Sequence, residues 1–172
     1  GEQLEGRLML AAFAVNDTGD LEDYDLEDGT CSATFEVQTV GEVSIIVPNN
    51  DCTLRAAIQN ANGQPGLDTI TFGVAAGTVI GVAEPILIDD PITIDAPVGK
   101  IAIQGTDSDL LGLVLSGDAD GSVIRNLVFN GFNEGLVVGA DDCLVVGSHF
   151  GVNLAGTSAV GNNIGLRVAG HH

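Results

Sequence analysis

What most constrains this chain is that it copies itself. "GLVLSG" at 112–117, "GLVVG" at 135–139 and "GLRVAG" at 165–170 share an opening glycine, two apolar residues two positions apart and a closing glycine, and the first two are offset by 23 residues. A second series, "IRNLVFNGF" from 124 and "VVGSHFGV" from 145, superposes Phe129 on Phe150 at an offset of 21. The interval from Gly135 to Gly165 grows to 30 because "NLAGTSAVG" is inserted, and insertions between repeats map to loops. A period of about 20–25 residues built from short strands and tight turns, with no helix between them, is the signature of a β-solenoid. Leucine-rich repeats have a similar length but need a Leu-x-x-Leu-x-Leu and Asn ladder that these units lack. A β-sandwich gives short alternating strands without requiring successive units to resemble each other at fixed spacing.

A solenoid has an end to cover, and "CTLRAAIQNANGQPGLDTITF", 52–72, supplies the cover. Leu54, Ala57, Ile58 and Ala61 recur at i, i+3, i+4, i+7, the spacing of one helix face, whereas Ile70 and Phe72 alternate with threonines as a strand does. Thr53 is placed to cap the helix start; Asn62-Gly63 and Pro65-Gly66 stop it and turn the chain. The first coil of a solenoid leaves apolar side chains and strand edges open to water. The sequence therefore predicts a helix over 53–62 laid across the end of the core as a lid, with "DTITF" opening the first rung.

Charge divides the chain into a head and a body. Twenty-four acidic against five basic residues give −19, which repels phosphate backbones and anionic lipid, so nucleic acid is excluded as a partner class. Seven of the carboxylates lie in "NDTGDLEDYDLEDG", 16–29. Hydrophobic residues make up 45% of the chain, enough for a sizeable core, yet no apolar run approaches the roughly 18–20 residues that span a bilayer. No membrane insertion by this segment is expected. His171-His172 reads as a purification-tag remnant.

Three cysteines cannot all pair. Cys31 and Cys52 flank an insert that reads as a β-hairpin around Val40-Gly41-Glu42. A bridge between them would close a loop of about 20 residues and stabilise the fold by roughly 3 kcal/mol in an oxidising compartment. Cys143, in "DDCLVVG", has apolar neighbours and reads as a small, unpaired hydrophobe.

These residues also carry a resemblance. Cys52, Leu54, Arg55, Ala57, Ile58, Ala61, Asn62, Pro65, Gly66, Asp68, Thr69, Ile70 and Phe72 fall on the characteristic positions of the CSLREA-type motif. That motif opens the right-handed parallel β-helix of many exported bacterial surface proteins. "DGTC" before it and "FGVNLAGTSAVGN" after it resemble pieces of the same family, so the likeness covers roughly 28–170. "LEGRLMLAA", 4–12, resembles the LEPR-type segment near the start of long exported proteins, with Gly6 where that pattern has proline. The resemblance implies an all-β, right-handed parallel β-helix with a short N-terminal capping helix and a β-hairpin insert, secreted or displayed on the cell surface, in a structural or adhesive role. The organisation it implies is an exported-protein segment over 1–12, an acidic head and hairpin over 13–51, a capped β-helix over 52–170 and the tag remnant over 171–172.

Chemistry has few candidates. "ADDCLVVGSHFG", 140–151, resembles the Asp-Asp-Cys stretch of polygalacturonase-type β-helices, with Asp141 and Asp142 in the place of acid and base and His149 nearby. Inverting hydrolysis needs carboxylates spaced to admit a water, on adjacent rungs in such a fold. The sequence reading finds no further aspartate in register on the preceding coil, and His149 follows Asp142 too closely to lie on the next one. Arg125, Arg167 and Lys100 are the coil's basic residues and do not fall at equivalent points of the repeat. A turn-forming aspartate pair at a solenoid corner is the preferred reading. "DYDLEDG" approximates a calcium loop through Asp23, Asp25 and Asp28, but Asp28 stands where glycine is required. Calcium is thus the one cofactor the sequence leaves open.

The expected function is a structural or adhesive module without catalysis. The alternative is a carbohydrate-binding or glycan-cleaving β-helix working through Asp141 and Asp142. An extracellular glycan or surface protein is the expected partner. Because "GLRVAG" is followed by no capping element before the histidines, a longer β-helix or a homodimer through the C-terminal coil, burying Leu166 and Val168, is also expected.

Overall fold

A computed structural model describes residues 10–97 and 100–169. The LEPR-type segment, 4–12, lies outside the described residues up to Met9 and inside them at Leu10, Ala11 and Ala12; the terminal histidines, 171–172, lie outside. Three parallel sheets are wound from successive coils, as the repeat requires. The first sheet stacks β1 (Ala12–Val15), β4 (Asp68–Phe72), β7 (Ile92–Asp95), β10 (Val123–Arg125) and β13 (Leu144–Val146). The second stacks β5 (Val79–Val82), β8 (Ile101–Gly105), β11 (Leu127–Asn130) and β14 (His149–Phe150). The third stacks β6 (Ile86–Ile88), β9 (Leu111–Leu115), β12 (Glu134–Val138) and β15 (Ile164–Val168). Each coil from residue 68 onward gives one strand to each sheet, four coils in all among the described residues. This is a parallel β-helix.

The register reproduces the sequence offsets. Leu113 pairs with Leu136 and Leu136 with Leu166, while Phe129 pairs with Phe150. Because side chains alternate in and out along a strand, in-register stacking turns each inward position into an apolar ladder through the core. One ladder runs Phe13, Ile70, Ile94, Ile124, Val145; another runs Ile80, Ile103, Phe129, Phe150. The last two rings stack at 5.3 Å, within the range that favours aromatic pairs. The inserted "NLAGTSAVG" lies in the loop between β14 and β15.

The first rung differs from expectation. Ala12–Val15 already pairs in parallel with Thr69–Phe72, so the solenoid begins one strand before Asp68. The sequence divides this strand between the exported-protein segment, 1–12, and the acidic head, 13–51; 52 residues of loop, hairpin and helix separate Val15 from Asp68, and no local pattern links the two strands. The helix α1 (Leu54–Asn62) packs on β1, β4 and β6, with Leu54, Ala57, Ile58 and Ala61 fully buried. Thr53 caps it, its hydroxyl accepting from the Ala56 amide and donating to the Leu21 carbonyl. At the other end Asn62 clamps the helix to the first coil, donating to the Leu87 carbonyl and accepting from the Asp89 amide.

The hairpin is present as β2 (Phe35–Val40) and β3 (Val43–Pro48), turning at Gly41-Glu42 with Gly41 at φ 67°. A Cys31–Cys52 disulfide closes its base, and Cys143 is free. Thiol counting on the denatured, unreduced protein should therefore find one thiol. Removing the bridge with Cys31→Ser and Cys52→Ser together should cost about 3 kcal/mol in chemical denaturation; an unchanged midpoint would show that the bridge constrains nothing.

Candidate functional site

The Asp141-Asp142 corner of the coil lies where β12 hands over to β13. Asp142 sits at φ 54°, a left-handed conformation that aspartate tolerates in turns. The Asp141 amide donates to Asp120 Oδ1 at 2.7 Å, and the Gly121 amide donates back to the Asp141 carbonyl at 2.9 Å. Asp120 therefore stands one rung before Asp141, in the register set by Val123 and Leu144. This corrects the expectation that the preceding coil offers no aspartate in register. Asp120-Gly121-Ser122 precedes Asp141-Asp142-Cys143 by the same 21 residues that relate Phe129 to Phe150. Alignment by glycines and apolar residues passed over the corners.

The other candidates do not converge on this corner. His149 is exposed on β14, paired with Val128 on the second sheet, whereas the corner feeds the first. Arg125 stacks beside Asp95, 3.9 Å apart. Arg167 Nε lies 2.7 Å from Glu134 Oε2 on the third sheet, at an angle too poor for a hydrogen bond. Lys100 reaches the Gly147 carbonyl. The three cations thus serve three separate places. Cys143 is tucked under the corner with its Sγ against the Ala119 and Asp141 carbonyls, and burial pushes its thiol pKa up, away from the reactive thiolate.

In the acidic head Asp17, Asp23, Asp25 and Asp28 each accept from a backbone amide two residues on. Asp23 accepts from the amides of Asp25 and Ser32 and from Asn60 Nδ2 on the lid; Asp25 accepts from Glu27; Asp28 accepts from Thr30 and from the Tyr24 hydroxyl. These bonds dock the head on α1 and leave Asp23, Asp25 and Asp28 facing different donors. Among the described residues no three His, Cys, Asp or Glu side chains come together as a metal-binding group.

Two further carboxylates, one of them on the CSLREA-type motif, are not among the candidate site residues of the sequence. Asp20 accepts a forked pair of bonds from Arg55, tying head to lid. Asp68 is fully buried at the start of β4; one oxygen accepts from the Ala11 amide and the other has no partner among the described residues, as is also true of Asp90 Oδ2. Burial raises the Asp68 pKa above the usual carboxylate range, against the pull of the Ala11 amide, and the Asp90 charge raises it further. The folded state thus holds this proton more tightly than the unfolded chain. Its stabilising contribution is complete below the unfolded pKa and is lost as pH rises through the folded value. Asp68→Asn keeps an acceptor for Ala11 and removes the charge, so it should raise Tm at neutral pH by about 2–4 °C. The gain should shrink as pH falls through the raised folded value and be gone below about pH 4; a gain that persists there would rule out the ionisation as its cause.

No family model, curated protein or solved structure matches the chain.

Proposed function

We propose that this chain is a structural or adhesive module of a secreted or cell-surface protein, and that it performs no catalysis. The observation that supports this most is how the acidic corner uses its groups. Asp120 spends a carboxylate oxygen on the Asp141 amide, and Asp142 supplies a left-handed turn, so the corner aspartates hold successive coils in register. The Cys31–Cys52 bridge fits an oxidising compartment, and no helix among the described residues is long and apolar enough to cross a membrane. An extracellular glycan or a surface protein is the partner class for such a rod. Its address follows the CSLREA-type resemblance.

A second reading, a glycan-binding or polygalacturonase-like β-helix, gains from the same corner because Asp120 and Asp141 occupy adjacent rungs. One experiment separates the two. Purified protein and its Asp142→Ala variant are incubated with polygalacturonate and a panel of surface glycans, with and without calcium, while reducing ends and retained glycan are measured. No new reducing ends from either protein supports the structural reading. Cleavage by the wild type that disappears in Asp142→Ala would overturn it in favour of the enzyme.

A further inference from the structure

The hairpin stands off the solenoid. Every residue of β2 and the first four of β3 are exposed, and six of them are large and apolar: Phe35, Val37, Val40, Val43, Ile45 and Ile46, each retaining between 44% and 66% of its accessible surface. Cross-strand partners share a face, so Phe35, Val37, Ile46 and Pro48 form one apolar side, extended by the Tyr24 ring 5.1 Å from Phe35. Val40, Val43, Ile45 and Val47 lie on the other. Ribbons of two strands are marginal in water on their own. This one is clamped at its root by the disulfide and by Asp51, which accepts from Ser32 and Thr34. Burial opposes ionisation of Asp51, yet the Thr34 and Ser32 bonds outweigh it and hold its pKa below the usual range. The arm is therefore presented at little entropic cost.

We propose that this arm is a self-association surface, in which β3 of one copy pairs antiparallel with β3 of a second copy to give a four-stranded sheet. Three observations select a second copy as the occupant. The first is that, among the described residues, β3 has one neighbour, β2, and an open edge on its other side. Such edges are normally guarded by lysine, inward charge or a bulge, and this strand carries no charge at all, with Pro48 at its end as the one guard.

Second, the strand is complementary to itself. Centred on Ile45, an antiparallel pair sets Val43 opposite Val47 of the other copy and Ser44 opposite Ile46, with no like charges facing. A two-fold axis through that point makes the contact isologous, so it closes at a dimer.

Third, of a net charge of −19 the arm, residues 35–48, carries only Glu36 and Glu42. Both lie off β3, so pairing through β3 brings together an uncharged strand from each acidic molecule. A partner of opposite charge would instead bind the acidic head, and salt would weaken it. Here salt should strengthen association by screening repulsion between copies. Six residues a side is far fewer than the roughly 20–30 of a standard interface, so a weak, concentration-dependent dimer is expected.

Sedimentation equilibrium of the whole chain, from micromolar to submillimolar concentration at low and high salt, tests this. The wild type should show a monomer–dimer equilibrium that shifts toward dimer as salt rises. Ile45→Glu sets two carboxylates opposite each other at the centre of the pair and should weaken dimerisation at least about tenfold. A chain with residues 35–48 replaced by a short Gly-Ser turn, closed by the same disulfide, should be monomeric and guards against misfolding of the point variant. Leu166→Lys, at the fourth coil, should dimerise as the wild type does. A monomeric wild type, a dimer that survives both arm variants, or a dimer lost only in Leu166→Lys would each overturn the proposal, the last by moving the interface to the coil.

Discussion

Gly112→Ala is expected to destabilise the protein by about 3 kcal/mol or more, whereas Gly117→Ala, five residues on in the same repeat, should stay within about 0.5 kcal/mol of the wild type. Both glycines belong to "GLVLSG", and the sequence gives no reason to rank them. Stacking does. Gly112, Gly135 and Gly165 lie in register on β9, β12 and β15. A Cβ on Gly112 would overlap the Gly135 carbonyl oxygen and press on the Phe132 ring at 3.2 Å; one on Gly135 would lie 2.9 Å from the Gly165 carbonyl oxygen. The obstacle is backbone, which cannot swing aside, and the rungs cannot separate without breaking the pairs Leu113–Leu136 and Leu115–Val138. At Gly117 a Cβ meets nothing within 4 Å. Urea melts of the two variants decide the matter: equal losses would mean that the repeated opening glycine is a turn residue and not a steric requirement of the ladder.

The contrast shows what a single sequence could reveal here. Strand stacking was legible because a parallel ladder forces equivalent residues into equal positions, so Leu113, Leu136 and Leu166 had to recur at the coil spacing. The lid was legible because α1 buries one face, and 3.6-residue periodicity survives in Leu54, Ala57, Ile58 and Ala61. What escaped were contacts between elements of unlike character. Ala12–Val15 belongs to the first sheet, but no neighbouring repeat announced it across 52 intervening residues. Asp120 escaped because corners tolerate Asp, Gly, Ser and Cys alike, and so carry little periodic signal. Asp20 pairs with Arg55 across 35 positions, a separation that local patterning does not reach.

That pair carries the other large expectation. Arg55→Ala should cost about 3–5 kcal/mol, the range for removing one partner of a buried ion pair. The Arg55 side chain is 8% exposed and the Asp20 side chain 15%. Arg55 Nε donates to Asp20 Oδ1 at 3.0 Å, Nη2 to Asp20 Oδ2 at 2.9 Å and to the Glu84 carbonyl at 2.7 Å, and Nη1 to the Pro85 carbonyl at 3.1 Å. One side chain thus joins the lid, the acidic head and the turn that enters β6. Alanine would leave the carbonyls of Asp20, Glu84 and Pro85 and the Asp20 carboxylate short of donors, with only the Ala83 amide still serving that carboxylate. Lysine keeps the charge but cannot reproduce the fork, so Arg55→Lys should recover less than half of the loss. Because the head is held to the coil here, Arg55→Ala should also expose the loop over 17–30 to protease before the coil unfolds. A double-mutant cycle with Asp20→Asn isolates the pair from the carbonyl bonds. A coupling energy near zero, with Arg55→Ala no less stable than Arg55→Lys, would mean that the lid is held by its apolar face alone and that the head is free to leave it.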